Sequence, residues 1–382
     1  MIYLDNAATS FPKPPAVPEA VFDFMIRVGA NPGRSGHRLS VEAERIRYEA
    51  RERIARLFNH ADPQRVVFTA NVTAALNLVL LGMIEPGDRV VVTGMEHNAV
   101  MRPLRFLEQR GASVTLVDAA SDGTVDPDDI ARALDTPTRL VCTLHASNVI
   151  GTIVPIGDIG RICRDRGVPY LVDAAQTAGC VPIDLQRDPV DILAFTGHKG
   201  LLGPTGTGGL VISPAFDEKL IRPLIFGGTG SRSEEEYQPE FLPDRFESGT
   251  ANIAGIAGLS AGVDFILSRG VDAIRAHESG LAGLLIEGFT AIEGVTVYGV
   301  SDPARRTAAV SFRIAGADNA VAAHRLSEEF EIMCRAGLHC APRAHKTIGT
   351  FPEGTVRLSI GPFNTAADID AALAAVATIA GK

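Results

Sequence analysis

Residues 191–212, DILAFTGHKGLLGPTGTGGLVI, place one lysine where an apolar run breaks into polar residues. The run Ile192, Leu193, Ala194, Phe195 gives way to Thr196, Gly197, His198 and Lys199. A Gly-rich turn and a second apolar run over 209–212 follow, so the segment reads as strand, tight polar turn, strand. A lysine leaving a buried strand is partly desolvated, which disfavours the ammonium and favours the neutral amine. The neutral amine attacks an aldehyde to make a Schiff base. A solvated turn lysine is the plainer alternative. The hydroxyl, histidine and glycines packed round this one amine argue for the first reading.

A Schiff-base site sets further requirements. A pyridinium ring acts as an electron sink only while its nitrogen stays protonated, which calls for a carboxylate. Asp173, after the apolar Tyr170-Leu171-Val172, is such a group, and equally suits the cap of a following helix. A phosphate needs backbone N–H groups at a helix start, plus hydroxyls. Thr73 with Ala74, Thr196 and His198 fit, although Thr73 alone also reads as a plain cap. His97 has the shape of an aromatic lid over a ring, with a structural role as the alternative. Neither GPTGTGG after Lys199 nor GGTG at Gly227 sits in the strand–GxGxxG–helix setting of a dinucleotide site, and no P-loop GK[ST] occurs.

The elements that position these residues follow from periodicity. Strands are expected at 66–69, 89–93, 113–117, 139–144 and 170–172, alternating with helices from 71, after 98, at 127–134 and at 155–166. This alternation predicts an α/β fold with a mostly parallel sheet flanked by helices. Ligands of such sheets sit at the strand carboxyl ends. Thr73, His97, Asn148, Asp173, Gln176, His198 and Lys199 all follow strand ends. Earlier, 31–40 reads as a loop, with Ser40 capping a helix over 41–58 whose first turn holds Glu42 and Glu44. Residues 1–18 read as a short strand and Pro-rich turn packed on something later. Residues 231–244 read as an exposed loop or hairpin, and 253–267 as a Gly/Ala-rich helix. The rest reads as a smaller α+β unit: helices at 271–289, 317–330 and 366–379, and strands at 295–298, 308–314, 332–334 and 355–359. Residues 338–346 read as a loop between them. Thr365 and Asp368 are placed for a capping box.

A length of 382 residues suits a large unit plus a small one, and 46% hydrophobic with 21% charged residues is ordinary globular composition. No apolar run approaches the roughly 18 residues of a membrane span, and the amino terminus lacks a signal-peptide pattern. A formal charge of −9 argues against nucleic-acid or anionic-membrane surfaces. Five cysteines without C-x-x-C or zinc spacing fit reduced thiols, so a cytoplasmic location is expected and no metal. Cys142, Cys163, Cys180 and Cys334 read as packing. Cys340 lies in a Gly/Pro-bounded loop with Arg, His and Lys close by, the surroundings in which reactive thiols occur.

The chain resembles the cysteine desulfurases and selenocysteine lyases, within the class V aminotransferase group of fold-type I pyridoxal-phosphate enzymes. The resemblance runs in family order through YLDNAATS, FTANVT, MEHNAV, SNVIGTIVPI, DAAQ, TGHKGLLGPTGTG, FESGTANIAGI, RAGLHCAP and VRLSIGPFNT. It implies a large cofactor-binding domain over 16–257 with a seven-stranded sheet, and a small domain from 1–15 and 258–382 carrying the cysteine loop. It implies pyridoxal 5'-phosphate as cofactor, with Lys199 as the Schiff-base lysine and Asp173 as partner of the ring nitrogen. Gln176 and Asn148 match groups bonded to the phenolic oxygen and the substrate. His97 matches the stacked histidine, which also moves protons. Thr73, Ala74, Thr196 and His198 match the phosphate site. Thr250 matches a residue reaching the neighbouring subunit's phosphate, which implies an obligate homodimer. Arg357 matches the arginine that forks the substrate carboxylate. Cys340 matches the cysteine that takes sulfur from L-cysteine as a persulfide, releases alanine and passes the sulfur to an acceptor, with a sulfur-acceptor protein as the partner implied. Leu338 stands where better-known members of this kind carry a second histidine, and the segment after Gly227 differs from theirs. These departures bear on acceptor and substrate preference. Selenocysteine lyase, a cystine-type C–S lyase and a true aminotransferase are the enzyme alternatives. A non-catalytic sulfur-relay scaffold is the alternative of another class, and the presence of Lys199, Asp173 and Arg357 speaks against it.

Overall fold

The computed structural model describes residues 1–33 and 36–381; Arg34 and Ser35, in the loop expected at 31–40, and Lys382 lie outside the described residues. The first half runs β1 (Ile2–Tyr3), α1 (Ala16–Asp23), α2 (Arg38–Leu57), β2 (Val66–Thr69), α3 (Val72–Met83), β3 (Arg89–Thr93) and α4 (Asn98–Glu108). It continues through β4 (Ser113–Val117), α5 (Pro127–Ala133), β5 (Leu140–Leu144), α6 (Ile156–Asp165), β6 (Tyr170–Asp173), β7 (Ile192–Thr196) and β8 (Gly208–Ile212). Then follow α7 (Ile253–Arg269), α8 (Val271–Ala291), β9 (Val295–Tyr298), β10 (Ala309–Ile314), α9 (Asn319–Phe330) and β11 (Ile332–Met333). The chain ends with β12 (Arg335–Gly337), α10 (Pro342–Thr347), β13 (Thr355–Ser359) and α11 (Ala366–Ile379).

The large sheet has seven strands in the order β2-β8-β7-β6-β5-β3-β4. Only β8 runs antiparallel to its neighbours, so the expected mostly parallel sheet is present. Its strands other than the edge strand β4 are largely apolar on both faces because both faces are covered. The two-residue period sorts them: Val91, Val141, Val172, Leu193 and Phe195 enter one core. Val90, Val92, Leu140, Leu171 and Ala194 enter the other. Strand order reverses at β3, with β4 on one side and β5 on the other, the switch point where α/β sheets hold ligands.

The second sheet, β12-β13-β10-β9, is antiparallel, and α8, α9 and α11 cover it in a third core that also takes Leu4. The amino terminus is tied down here, since β1 pairs in parallel with β11. The expected boundary at 257/258 falls inside the continuous helix α7, whose side chains through Ile266 pack in the first core. The cores part within α8, between Ile274 and Leu281.

Local readings differ in four places. His37, not Ser40, caps α2, accepting from the Ser40 N–H at 3.2 Å, so Glu42 and Glu44 fall beyond the first turn. Helix α1 was hidden by its three flanking prolines at 12, 14 and 15 and one at 18. The 338–346 loop contains the short helix α10, begun by Pro342 at its first position. Residues 335–337 form β12, a strand that sequence pattern missed because it is short and half-buried. The capping box of Thr365 and Asp368 is present.

Candidate active site

The Lys199 turn is fixed through its backbone. Gly197 N–H donates to the Thr207 carbonyl at 2.8 Å, and Gly203 N–H to the Gly197 carbonyl at 2.8 Å. A Cβ on Gly197 would collide with Thr207 Oγ1, so only glycine fits. The amino-terminal segment closes the turn from the other side. Ser10 N–H donates to the His198 carbonyl at 3.0 Å, and Ser10 Oγ to the Lys199 carbonyl at 2.8 Å. Lys13 Nζ donates to Ser10 Oγ at 2.6 Å and to the His198 carbonyl at 3.0 Å. Residues 9–13 thus pack on the lysine turn while β1 pairs with β11, the later elements that the amino-terminal sequence demanded.

Desolvation pulls the Lys199 amine from 10.5 to about 8; Asp173 opposes this, while Arg357 and Arg335 add to it. The neutral amine therefore becomes the major form above about pH 8 rather than above 10.5. We expect the rate at which apoprotein captures pyridoxal phosphate to rise with pH and level off above about 8, followed by absorbance. A rise continuing towards pH 10.5 would show Lys199 to be solvated.

Asp173 ends β6, is 5% exposed and accepts the Ala175 N–H at 2.9 Å. Burial raises its pKa; the Ala175 N–H and the Lys199 charge oppose that. His97 caps α4: its Nδ1 accepts the Ala99 N–H at 3.0 Å, which leaves the ring proton on Nε2. Burial, with Lys199, Arg335 and Arg102 nearby, lowers its pKa to about 4, so the imidazole is neutral. Glu96, which the sequence reading passed over, is fully buried one residue before it. Its carboxyl group accepts from Thr93 Oγ1 at 2.6 Å and from the Leu144 N–H at 3.1 Å. Leu144 stands opposite Asp173 in the β5–β6 register, so Glu96 ties the His97 turn to the Asp173 strand. Desolvation raises Glu96 to about 8. A neutral acid suits this site.

At the other end of the cleft, Thr196 is buried with Oγ1 unpaired, and His198 has an unpaired buried Nδ1. Burial and the nearby Lys199 and Lys13 lower His198 to about 4. Thr73 and Ala74 are exposed at the start of α3. The cap there is Asn71, whose Oδ1 accepts the Ala74 N–H at 2.9 Å, which corrects the reading of Thr73 as a cap. Gln176 lines the cavity with Lys199, and its Nε2 donates to the Ala7 carbonyl at 3.1 Å. Thr250 is not brought to Lys199 of its own chain; it is exposed in a separate depression beside Ala74.

The small sheet supplies the remaining side chains. Arg357 on β13 is 1% exposed; Nη2 donates to Asp5 Oδ1 at 2.8 Å and Nη1 to the Asn148 carbonyl at 2.7 Å. Burial lowers its pKa, with Asp5 opposing. Asp5 carried no sign of this role beyond its place in YLDNAATS. Asn148 is buried, donates from Nδ2 to the His339 carbonyl at 2.7 Å and keeps Oδ1 unpaired. That bond pins the cysteine loop from one side. Asn98 N–H pins it from the other, donating to the Cys340 carbonyl at 2.9 Å. His339 and Cys340 both adopt left-handed backbone, with φ of +49° and +58°. Such geometry in non-glycine residues costs on the order of 1–3 kcal/mol each and persists where the surroundings over-determine it. Cys340 is the exposed cysteine of the five; Cys142, Cys163 and Cys180 are buried and Cys334 is half-buried. Arg335 donates to its Sγ at 3.5 Å, and its charge bears on Lys199.

Thr196, His198 and Asn148 keep unpaired buried atoms at the strand ends that also carry a desolvated amine and a buried carboxylate. Orphaned groups of this kind are costly unless a polar ligand satisfies them, and their chemistry fits a phosphate-bearing aldehyde with a basic ring nitrogen. Fold and site thus define a pyridoxal-phosphate protein built on a large mostly parallel sheet and a smaller antiparallel one.

Comparison with known proteins narrows this. The family model for aminotransferase class-V matches residues 2–372, and the chain belongs to that family, whose cofactor is pyridoxal 5'-phosphate. It is 39% identical over 371 residues to a probable cysteine desulfurase of Methanothermobacter thermautotrophicus, covering 96% of this chain and 92% of the relative. It is 33% identical to the cysteine desulfurase of Haloferax volcanii, covering 97% and 87%. Among solved structures, the apo cysteine desulfurase of Thermococcus onnurineus superposes with a TM-score of 0.93 at 33% identity, covering 100% of this chain and 94% of that one. Among the described residues no single helix is long and apolar enough to cross a membrane.

Proposed function

We propose that the chain is a cysteine desulfurase, converting L-cysteine to L-alanine and holding the sulfur on Cys340 before an acceptor takes it. The observation that carries this is the exposed Cys340, on a loop pinned by Asn98 and Asn148 within electrostatic reach of Lys199. When bound, pyridoxal phosphate supplies an aldehyde for amines and a protonated ring that stabilises negative charge at the substrate Cα.

The side chains divide the work. Arg357 forks the substrate carboxylate, since both Nη atoms keep a hydrogen beyond those given to Asp5 and Asn148. The Lys199 amine, half of it neutral at about pH 8, takes the Cα proton. Asp173 keeps a proton on the ring nitrogen. Thr196, His198 and the α3 start at Thr73 and Ala74 hold the phosphate. Gln176 and Asn148 bond the phenolic oxygen and the substrate. His97, neutral with its proton on Nε2, donates where the departing chemistry leaves charge. The Cys340 sulfur bonds the substrate sulfur as the Cβ–S bond breaks. That bond's electron pair stays with carbon, which takes a proton and becomes the methyl group of alanine.

Phe22, Met25, Ile26 and Val41 are exposed on the α1–α2 face, and Ile225 and Phe226 beside the Thr250 depression. Apolar surface on that scale suits a second copy, which would bring Thr250 to the neighbouring phosphate. The reduced thiols suit a cytoplasmic setting.

The test is Cys340→Ala with L-cysteine as substrate, reading alanine formation and the mass of the protein after turnover. Wild type is expected to gain one sulfur atom at Cys340; the variant gains none and loses alanine formation by about two orders of magnitude or more. Full turnover by the variant would remove the persulfide from the account.

A further inference from the structure

Cys340 opens at one end of a groove that runs outward along α4, past the reacting groups. The inner part is lined by His97, Arg102, Phe106 and Cys340. The outer part shares Arg102 and Phe106 and continues to Arg343 and Lys346. The groove follows α4, whose 11 residues span roughly 17 Å, much longer than an amino-acid substrate requires. Its lining is cationic. The chain carries a net charge of −9, and most of its arginines are paired with carboxylates. Among the described residues, Arg102, Arg343 and Lys346 have no carboxylate within ion-pair distance, although Arg105 beside them pairs with Glu108. Phe106 shares this lining, 47% exposed, with Arg110 against one face of its ring, while the Lys346 ammonium sits over the Phe351 ring.

We propose that this groove docks an acidic segment of a sulfur-acceptor protein, with an apolar side chain on Phe106 and a thiol delivered to Cys340. The proposal rests on the reading of Cys340 as the sulfur carrier and specifies the partner's chemistry. These cations attract an anionic partner and disfavour a twofold contact of the groove with its own copy. A small thiol reaches Cys340 through the inner end alone and gains nothing from Arg343 or Lys346.

The experiment uses holoenzyme loaded with L-cysteine and three acceptors: a Glu-rich peptide with one cysteine, its Lys-rich counterpart, and dithiothreitol. Sulfur transfer to each is followed by mass. The Glu-rich peptide is expected to accept at least about tenfold faster than the Lys-rich one at low salt, an advantage that shrinks towards unity near 1 M salt. In the double variant Arg343→Glu, Lys346→Glu the advantage disappears while the dithiothreitol rate stays unchanged. Equal rates for the two peptides, or a preference that survives the double variant, overturns the proposal. So does a change in subunit stoichiometry of the double variant, which would assign the groove to contact between copies. A separate arm measures binding of fluorescent Glu-rich peptide to Cys340→Ser holoenzyme by anisotropy. If no persulfide forms, the desulfurase reading fails, while loss of this binding in Arg343→Glu, Lys346→Glu still decides the groove.

Discussion

Lys199→Ala is expected to leave a folded protein whose turnover falls by at least about 10²–10⁴-fold, the range for losing a positioned acid–base group. Folding should survive because the turn is held by backbone groups of Gly197, His198, Lys199 and Gly203, none of which needs the amine. The variant should bind pyridoxal phosphate without a borohydride-reducible bond to protein. Lys199→Arg separates charge from chemistry: a guanidinium keeps the cation near Asp173 and stays protonated, so it too should be inactive. A small primary amine added to Lys199→Ala should restore part of the turnover. Substantial activity in Lys199→Arg would show that proton transfer at the substrate runs through another group.

Asp173→Asn is the second large effect. The replacement is close to isosteric in a site 5% exposed, and its Oδ1 can still accept the Ala175 N–H, so structure should hold. What it removes is a buried charge aimed into the cleft. Losing one preorganised electrostatic partner typically costs about 10²–10³ in turnover. A second readout tests the same charge independently. Asp173 raises the Lys199 pKa, so without it the amine deprotonates at lower pH. The pH at which apoprotein reaches its full rate of cofactor capture should therefore fall below about 8. An unchanged capture profile with full turnover would place the two groups out of electrical contact.

Much of this architecture was open to reading before any coordinates. The strands at 66–69, 89–93, 113–117 and 355–359 match the structure residue for residue, because β-branched and apolar residues run together or alternate there between turn residues. The candidate site residues after β2, β3, β5, β6 and β7 share one end of the large sheet because these strands run the same way. Short or proline-flanked elements escaped. Helix α1 is 8 residues long and α10 is 6, too short for helical periodicity to show. His37 displaced Ser40 as the cap of α2 because Ser40 Oγ is engaged elsewhere, donating to the Asn31 carbonyl at 2.8 Å.

By itself the sequence determined the reactive inventory: an amine at a strand end, a carboxylate after another, and one cysteine in a loop among cations. Local pattern suffices there, since desolvation at a strand end follows from neighbours close in the chain. Only the tertiary structure decided what surrounds them. Asp5 holds Arg357 across 352 positions of sequence, and Asn148 holds the cysteine loop across 191. Glu96 locks His97 to the strand beside Asp173, and Arg343 meets Arg102 along one groove. Such contacts form where three cores bring distant segments together, and no local pattern in the chain encodes which distant groups will meet.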